Sequence, residues 1–514
     1  MKLFKAMATV AGLTGVSRIA GFVRDVMTAT ILGAGPVADA FFVALKLPNF
    51  FRKVTAEGAF SVSFVPKYAE VLEKDGAEAA QLFSSRAFSI MLLFLSALVF
   101  LFIAFMPAVI YVIAPGFHDD PERYGLAVSM GQITFPYVLL MSLTALMGGV
   151  MNAHDRFAPF AIAPVLFNLS LIVALYFADY FENAGYALSW GVFAAGIFQF
   201  IYLRYSLSRS GLRIQIVRPE FSENVRDVFR RMGPGLIGAG VMQINILSDL
   251  VIASFLQHGA ISYLYYADRL NQLPLGIIGI AVGTALLPML TREMAAGNKQ
   301  EAKNLFNRAL EVCLLLGLPA AAGLFVIPHM LVTVLFEHGA FTAEDTYLTG
   351  YVLMGYAVGL PAYIGVKVLS SVFWSQGDTK TPVKISIITT GSNIILSLIL
   401  IQFLGVMGLT LATGLVGWMQ YFLLKRKIPV EMSYDERLLM VFPKILASVA
   451  LMVGFLLGCT YFVSPLYEAR DFSTLMQIFV MLGIIAGAGA IYFGSIFGLK
   501  VVNPHHFKQY FRRT

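Results

Sequence analysis

Residues 17–57 read SRIAGFVRDVMTATILGAGPVADAFFVALKLPNFFRKVTAE. The stretch is apolar enough to cross a membrane, yet it carries Arg18, Arg24, Asp25, Asp39, Lys46, Arg52, Lys53 and Glu57. An arginine or lysine at the centre of a membrane helix costs roughly 2.5–3.5 kcal/mol on insertion scales, so such a residue normally faces an aqueous cavity and serves a substrate or an ion. The charges are predominantly cationic, which predicts a path for an anion.

The rest of the chain supplies the setting. Of its 514 residues 58% are hydrophobic and 13% charged, and the mean hydropathy is +0.76. These values lie outside soluble globular usage and predict an all-α polytopic membrane protein. Apolar runs predict fourteen transmembrane helices, near 7–32, 36–66, 82–113, 125–151, 159–178, 184–205, 232–257, 262–290, 305–335, 347–374, 383–403, 406–424, 438–463 and 473–498. The first is charged and lacks a small-residue cleavage site, so it is read as a retained span rather than a signal peptide.

An even number of spans places both termini on one side. The loops on that side gather Lys2, Lys5, Lys67, Lys74, Arg86, Arg156, the run from Arg204 to Arg231, Lys425–Lys427 and the basic tail. The opposite loops hold Arg123 and Arg470 beside Asp119, Asp120, Glu122, Glu344 and Asp345. The positive-inside rule then makes the termini cytoplasmic. Seven cations remain within the spans: Arg18, Arg24, Lys46, Arg52, Lys53, Arg269 and Lys367. For Lys367, packing or snorkelling stands beside a role in the pathway.

The chain also repeats itself at an offset near 224. Asp25, Ala29, Leu32 and Gly35 return as Asp249, Ala253, Leu256 and Gly259, while Pro48 matches Pro274 and Val65-Pro66 matches Leu287-Pro288. The prediction is two parallel six-helix repeats about a central cavity, followed by two C-terminal helices. The corresponding divisions are an N-terminal lobe at 1–209, a cytoplasmic amphipathic linker at 210–231, a C-terminal lobe at 232–427, and the added helices and basic tail at 428–514. Such halves enclose a midplane site and rock against each other. At the same offset Arg18 becomes Met242 and Arg24 becomes Ser248. The fold therefore does not require these arginines, which points them at a ligand.

Arginine suits a diphosphate because its planar fork grips two phosphate oxygens and stays protonated. Each close cation–phosphate pair gains about 4 kcal/mol at an effective dielectric near 20, before desolvation. Arg18, Arg24, Lys46, Arg52 and Arg269 are the candidate substrate-binding cations, with Asp25, Asp39 and Glu57 holding them and offsetting their repulsion. The competing reading is a set of internal salt bridges or snorkelled side chains. Asp249 is read either as a sodium or proton coupling group or as a buried structural acid. Cys313 and Cys459 lie in apolar runs, and the seven histidines form no metal-ligand spacing, so no metal and no nucleic-acid partner is expected.

At these positions the sequence resembles the MurJ (MviN) lipid II flippases of the MOP exporter superfamily. The matching residues are Ser17-Arg18, Gly21-Phe22, Arg24-Asp25, Gly33-Ala34-Gly35, Asp39-Ala40-Phe41-Phe42, Lys46-Leu47-Pro48-Asn49, Arg52, Glu57-Gly58-Ala59-Phe60, Tyr265-Tyr266-Ala267-Asp268-Arg269-Leu270 and Lys380-Thr381-Pro382-Val383. The resemblance implies a transporter, not an enzyme. It would move lipid II, an undecaprenyl-diphosphate bearing a disaccharide-pentapeptide, from the inner to the outer face of the bacterial cytoplasmic membrane, functioning as a monomer among membrane lipids. It also implies that Arg18, Arg24, Asp25, Asp39, Arg52 and Arg269 are cavity residues and that the two added spans form a groove for the lipid tail. Some members of that family bind sodium, for which Asp249, Asp378 and Thr390 are the nearest candidates. Another polyprenyl-diphosphate oligosaccharide, or a small molecule exchanged for an ion, is the alternative cargo. No cofactor is expected beyond sodium, protons or the membrane potential, and moving two negative charges outward through the full field would gain roughly 4.6 kcal/mol per 100 mV.

Overall fold

The computed structural model describes residues 2–53, 60–468 and 473–501. Among these residues the chain is helical with no strand. Its helices are α1 Lys2–Leu32, α2 Pro36–Phe51, α3 Ser61–Ala104, α4 Met106–Ile113, α5 Pro121–Thr134, α6 Tyr137–Ala153, α7 Ala158–Tyr176, α8 Ala184–Arg209 and α9 Glu223–Ser254. They continue as α10 Ala260–Pro274, α11 Ile280–Ala295, α12 Lys299–Val326, α13 Pro328–Phe336, α14 Ala343–Ser375, α15 Lys380–Leu404, α16 Val406–Lys427, α17 Glu436–Glu468 and α18 Thr474–Gly498.

Among the described residues ten helical stretches are long and apolar enough to cross a membrane. They coincide with the third to sixth and ninth to fourteenth of the fourteen expected spans. The four that fall outside the set are the first two of each repeat, which carry Arg18, Arg24, Asp25, Asp39 and Lys46 in one half and Asp249 and Arg269 in the other. In α9 the described apolar stretch is the shorter Gln243–Ser254.

The repeat is visible in the helix boundaries. α4, α5, α7 and α8 begin at Met106, Pro121, Ala158 and Ala184, and α13, α14, α15 and α16 each begin 222 residues later. Proline starts α4 and α13 in their first turns, where its missing N–H leaves no bond unmade. α14 opens on a capping box in which Thr342 and Asp345 each bond the other's backbone amide.

Pro48 lies inside the second expected span, where a proline removes a backbone donor and ordinarily breaks a helix. Instead α2 runs through Pro48 to Phe51, and the chain then widens into a π-type turn at Arg52–Lys53. The proline leaves the Ala44 carbonyl without its helical donor, and the Thr134 hydroxyl of α5 donates to that oxygen at 3.2 Å. That bond lets the helix continue. Replacing Thr134 with Val keeps the shape but orphans the carbonyl. The expected loss is about 1–3 kcal/mol, read as a lower unfolding midpoint in detergent; an unchanged midpoint would refute the account.

The segment after α8 covers the position expected for the linker. The amphipathic linker expected at 210–231 has no regular secondary structure from Leu212 to Phe221, and α9 starts at Glu223. The strap is fastened to α3, where Gln215 N donates to Ser85 Oγ at 3.0 Å and Val217 N to Ser89 Oγ at 2.9 Å. Ile214, Val225 and Val228 enter the apolar core formed by α3, α6 and α8. Backbone outside regular secondary structure must find other partners, and here the two serine hydroxyls supply them.

By contacts the chain divides into two compact units. The first comprises Met1–Ser262 with Gly339–Phe341, and the second Tyr263–His338 with Thr342–Thr514. Inside the second, α17 and α18 pack on α12 and α13 through Ile445, Met452, Leu456, Met481, Ile484 and Tyr492. The Tyr492 hydroxyl donates to the Leu315 carbonyl at 2.6 Å.

Candidate functional site

In the first unit, α1 packs along α7 by a stripe at helical spacing, Ser17, Gly21, Arg24 and Thr28. Asn168 of α7 is the residue it meets. Its Nδ2 donates to the Ser17 carbonyl at 2.9 Å and to Ser17 Oγ at 3.3 Å, while its Oδ1 accepts from Arg24 Nη1 at 2.8 Å. Gly21 makes this approach feasible, because a Cβ there would lie 3.3 Å from Asn168 Nδ2. Arg24 Nε and Nη2 both donate to Asp25 Oδ1, at 3.1 and 2.6 Å. Arg24 and Asp25 are buried, whereas Arg18, one residue beyond the packed stripe, is exposed.

A second cluster centres on Asp39, in the first turn of α2 and fully buried. Its Oδ2 accepts from Arg123 Nη2 and from the Gly259 amide, both at 2.8 Å. Its Oδ1 accepts from the Ser262 amide at 2.8 Å and the Ser262 hydroxyl at 2.7 Å. Asp39 thereby caps the start of α10 from outside that helix, where a carboxylate also complements the positive end of the helix dipole. Arg123 is itself buried and lies 3.8 Å above the Phe117 ring. Around this cluster the loops opposite the termini are knit together. Gly116 N donates to Ser254 Oγ, Ala340 N donates to the Thr30 carbonyl, and His258 approaches Asp120 at 2.9 Å.

The remaining expected residues are distributed as follows. Lys46 is half-buried and acts electrostatically on Asp249, whose Oδ1 is buried with no hydrogen-bond partner among the described residues. Arg52 is half-buried at the C-terminus of α2, and Glu57 lies outside the described residues. In the second unit the Arg269 guanidinium stacks on the Tyr265 ring at 4.7 Å. Asp378 caps α15 by accepting from Thr381 N at 3.0 Å, and hydrogen bonds from the Thr381 side chain and amide hold its carboxyl below the ordinary range. Thr390 stands about 13 Å further along that helix than Thr381, so Asp378 and Thr390 do not ligate one ion directly. Among the described residues no group of three or more His, Cys, Asp or Glu side chains could hold a metal ion.

Sequence reasoning passed over Arg123, Asn168 and Ser262. Arg123 had a signal, being one of two cations in loops otherwise acidic. Asn168 had a weaker one, a lone amide in an apolar span. Ser262 had none, because its role depends on a partner more than two hundred residues away.

The sequence model of the family described as "Lipid II flippase MurJ" matches residues 28–479. A "Probable lipid II flippase MurJ" of Rhizobium meliloti is 40% identical over 97% of this chain and 94% of its own length. The "Lipid II flippase MurJ" of Burkholderia cenocepacia is 32% identical over 100% of this chain and 99% of its own. Among solved structures, "Lipid II flippase MurJ, inward closed conformation" superposes with a TM-score of 0.77 at 28% identity, covering 95% of this chain and 99% of that one. An inward-facing multidrug resistance MATE family transporter of the MOP superfamily shares the fold, with a TM-score of 0.68 at 14% identity over 80% of this chain and 94% of that one.

Proposed function

The chain belongs to the MurJ family of lipid II flippases, and we propose that it carries lipid II from the inner to the outer leaflet of the bacterial inner membrane by alternating access. It is a transporter, and export of this precursor serves peptidoglycan synthesis. The observation that carries the assignment to this chain's own residues is the Arg24 fork. A buried arginine held by Asp25 on one edge and by Asn168 on another is an aligned guanidinium, ready to exchange one of those partners for a phosphate oxygen.

In this reading Arg18, Arg24, Lys46 and Arg52 from the first half and Arg269 from the second take the diphosphate on the cytoplasmic side, with Asp25 and Glu57 balancing their charge. Asp39 serves the cycle differently. Its four hydrogen bonds hold the loops opposite the termini together, and outward release of cargo requires them to part. The excess of cations on the terminal side supports cytoplasmic termini. Asp249 beside Lys46 is the group best placed to sense a sodium ion or proton, and the membrane potential acts on the anionic cargo directly. The protein acts as a monomer.

Replacing Arg18, Arg52 or Arg269 singly with Ala should lower surface exposure of lipid II at least tenfold in cells depleted of their own flippase, at normal levels of the variant. Full export by all three variants would sink the arginine-capture reading while leaving family membership untouched.

A further inference from the structure

Lys367 is, with Lys53, one of two membrane cations that the transport reading leaves without a task. It sits on α14, half-buried, among Ile364, Val368 and Leu369, all of which lie in the apolar core of the second unit. Among the described residues no hydrogen bond or ion pair reaches its ammonium. An amine in such surroundings without a partner is costly, and replacing it with an apolar side chain of similar length should be neutral or stabilising if it only packs. Snorkelling does not relieve it. The nearer end of α14, at Ser375, is about 12 Å away along the helix, and helical side chains tilt toward the N-terminus, here away from that end.

What the ammonium does touch is a π-helical turn, Leu275–Gly279, immediately after Pro274. A Cβ on Gly279 would lie 3.1 Å from Lys367 Nζ and 3.1 Å from its Cδ, so the side chain lies close over the glycine and a methyl group there would displace it by a few tenths of an ångström. Turns of this kind inside α-helices recur at functional sites. The internal repeat gives this one a counterpart. Pro274 matches Pro48, and the chain beyond Pro48 also widens into a π-type turn, which carries its own cations, Arg52 and Lys53. The second turn reads LGIIG and has none. Lys367 supplies from α14 the positive charge that the first half carries within the turn itself.

We propose that Lys367 is an anion-binding residue of the transport path, taking an oxyanion of the cargo, phosphate or carboxylate, at the π-helical turn of the second half. The inference rests on the lipid II reading and adds a residue to it. The experiment compares the full-length wild type with Lys367→Met, Lys367→Arg and Gly279→Ala. Readouts are the thermal midpoint, calorimetric binding of inorganic diphosphate and of a soluble muramyl pentapeptide, and lipid II export in depleted cells.

The expected result for Lys367→Met is an unchanged or raised midpoint, with export and affinity for one probe reduced at least tenfold. A loss confined to diphosphate identifies the phosphate as the partner, and one confined to the pentapeptide identifies a carboxylate. Lys367→Arg should retain export within about threefold. Gly279→Ala, which pushes the ammonium aside, should weaken the same probe severalfold. Wild-type affinity for both probes and wild-type export by Lys367→Met overturn the inference alone. A wild-type chain that exports no lipid II overturns the cargo reading, and this inference with it.

Discussion

Asp39→Ala should lower the thermal midpoint of the purified protein by roughly 5 °C or more and abolish lipid II export. The carboxylate is fully buried and accepts four hydrogen bonds, from Arg123, the Gly259 amide, and the amide and hydroxyl of Ser262. Removing it strands a buried guanidinium, and breaking one partner of a buried ion pair typically costs about 3–5 kcal/mol. A perturbation of that size moves the midpoint of a domain of this length by several degrees. Asp39→Asn should do nearly as much harm, because its amide nitrogen turns a donor toward groups that are already donors. The double variant Asp39→Leu with Arg123→Met removes both charges and should regain part of the midpoint, though not all of it, since the Gly259 and Ser262 amides stay unpaired. Stability recovered without export would separate the electrostatic role of the pair from its role in the cycle. A midpoint within 1 °C of wild type for Asp39→Ala would refute the latch.

The sequence carried the architecture because a membrane writes its constraint locally. Twenty apolar residues in a row can do little but span, and the repeat could be aligned from a handful of residues such as Asp25 with Asp249 and Pro48 with Pro274. Its offset of about 224 becomes 222 at the later helix starts, reflecting small gaps between the halves. What hydropathy does not record is helix outside the bilayer. The loop expected between 66 and 82 is instead part of the 44-residue α3, kinked at Gly76 (φ 86°) and supported by the Glu70–Lys74 pair at 3.0 Å. Polar helix formers extend a helix as readily as apolar ones.

The candidate residues were legible as a set, though their pairings were not. A buried charge announces that it needs a partner without naming it. Asp39 was grouped with the substrate cations, but the structure pairs it with Arg123, 84 residues away, and with the backbone at the start of α10. Arg18 and Asp25, seven residues apart, share a helical face on paper. Once Ser17, Gly21 and Arg24 are committed to Asn168, Arg18 is exposed and Asp25 is buried under the arginine beside it. Such choices depend on which neighbour fills a groove, a property of the packed helices rather than of either sequence segment.

That pairing makes the effect of Asp25→Asn unusual in sign. Asp25 Oδ1 takes both Nε and Nη2 of Arg24, which form one bidentate edge of the guanidinium and the edge best shaped for a phosphate. The carboxylate therefore competes with the cargo. A hydrogen bond to a charged group contributes about 1.5–3 kcal/mol, so removing the charge at Asp25 should tighten binding of inorganic diphosphate by roughly 10-fold or more. Tighter capture also raises the barrier to release on the far side, where Asp25 would otherwise reclaim the arginine and expel the phosphate. Affinity should thus rise while export falls, by at least tenfold, at normal protein levels. Arg24→Gln should lower both, because it removes the charge while keeping an amide that can still face Asn168. Calorimetry on the two purified variants, set beside lipid II exposure in depleted cells, distinguishes the cases. If Asp25→Asn binds diphosphate more weakly than wild type, the acid orients the arginine rather than competing for it, and the exchange of Asp25 for phosphate is not the step that starts transport.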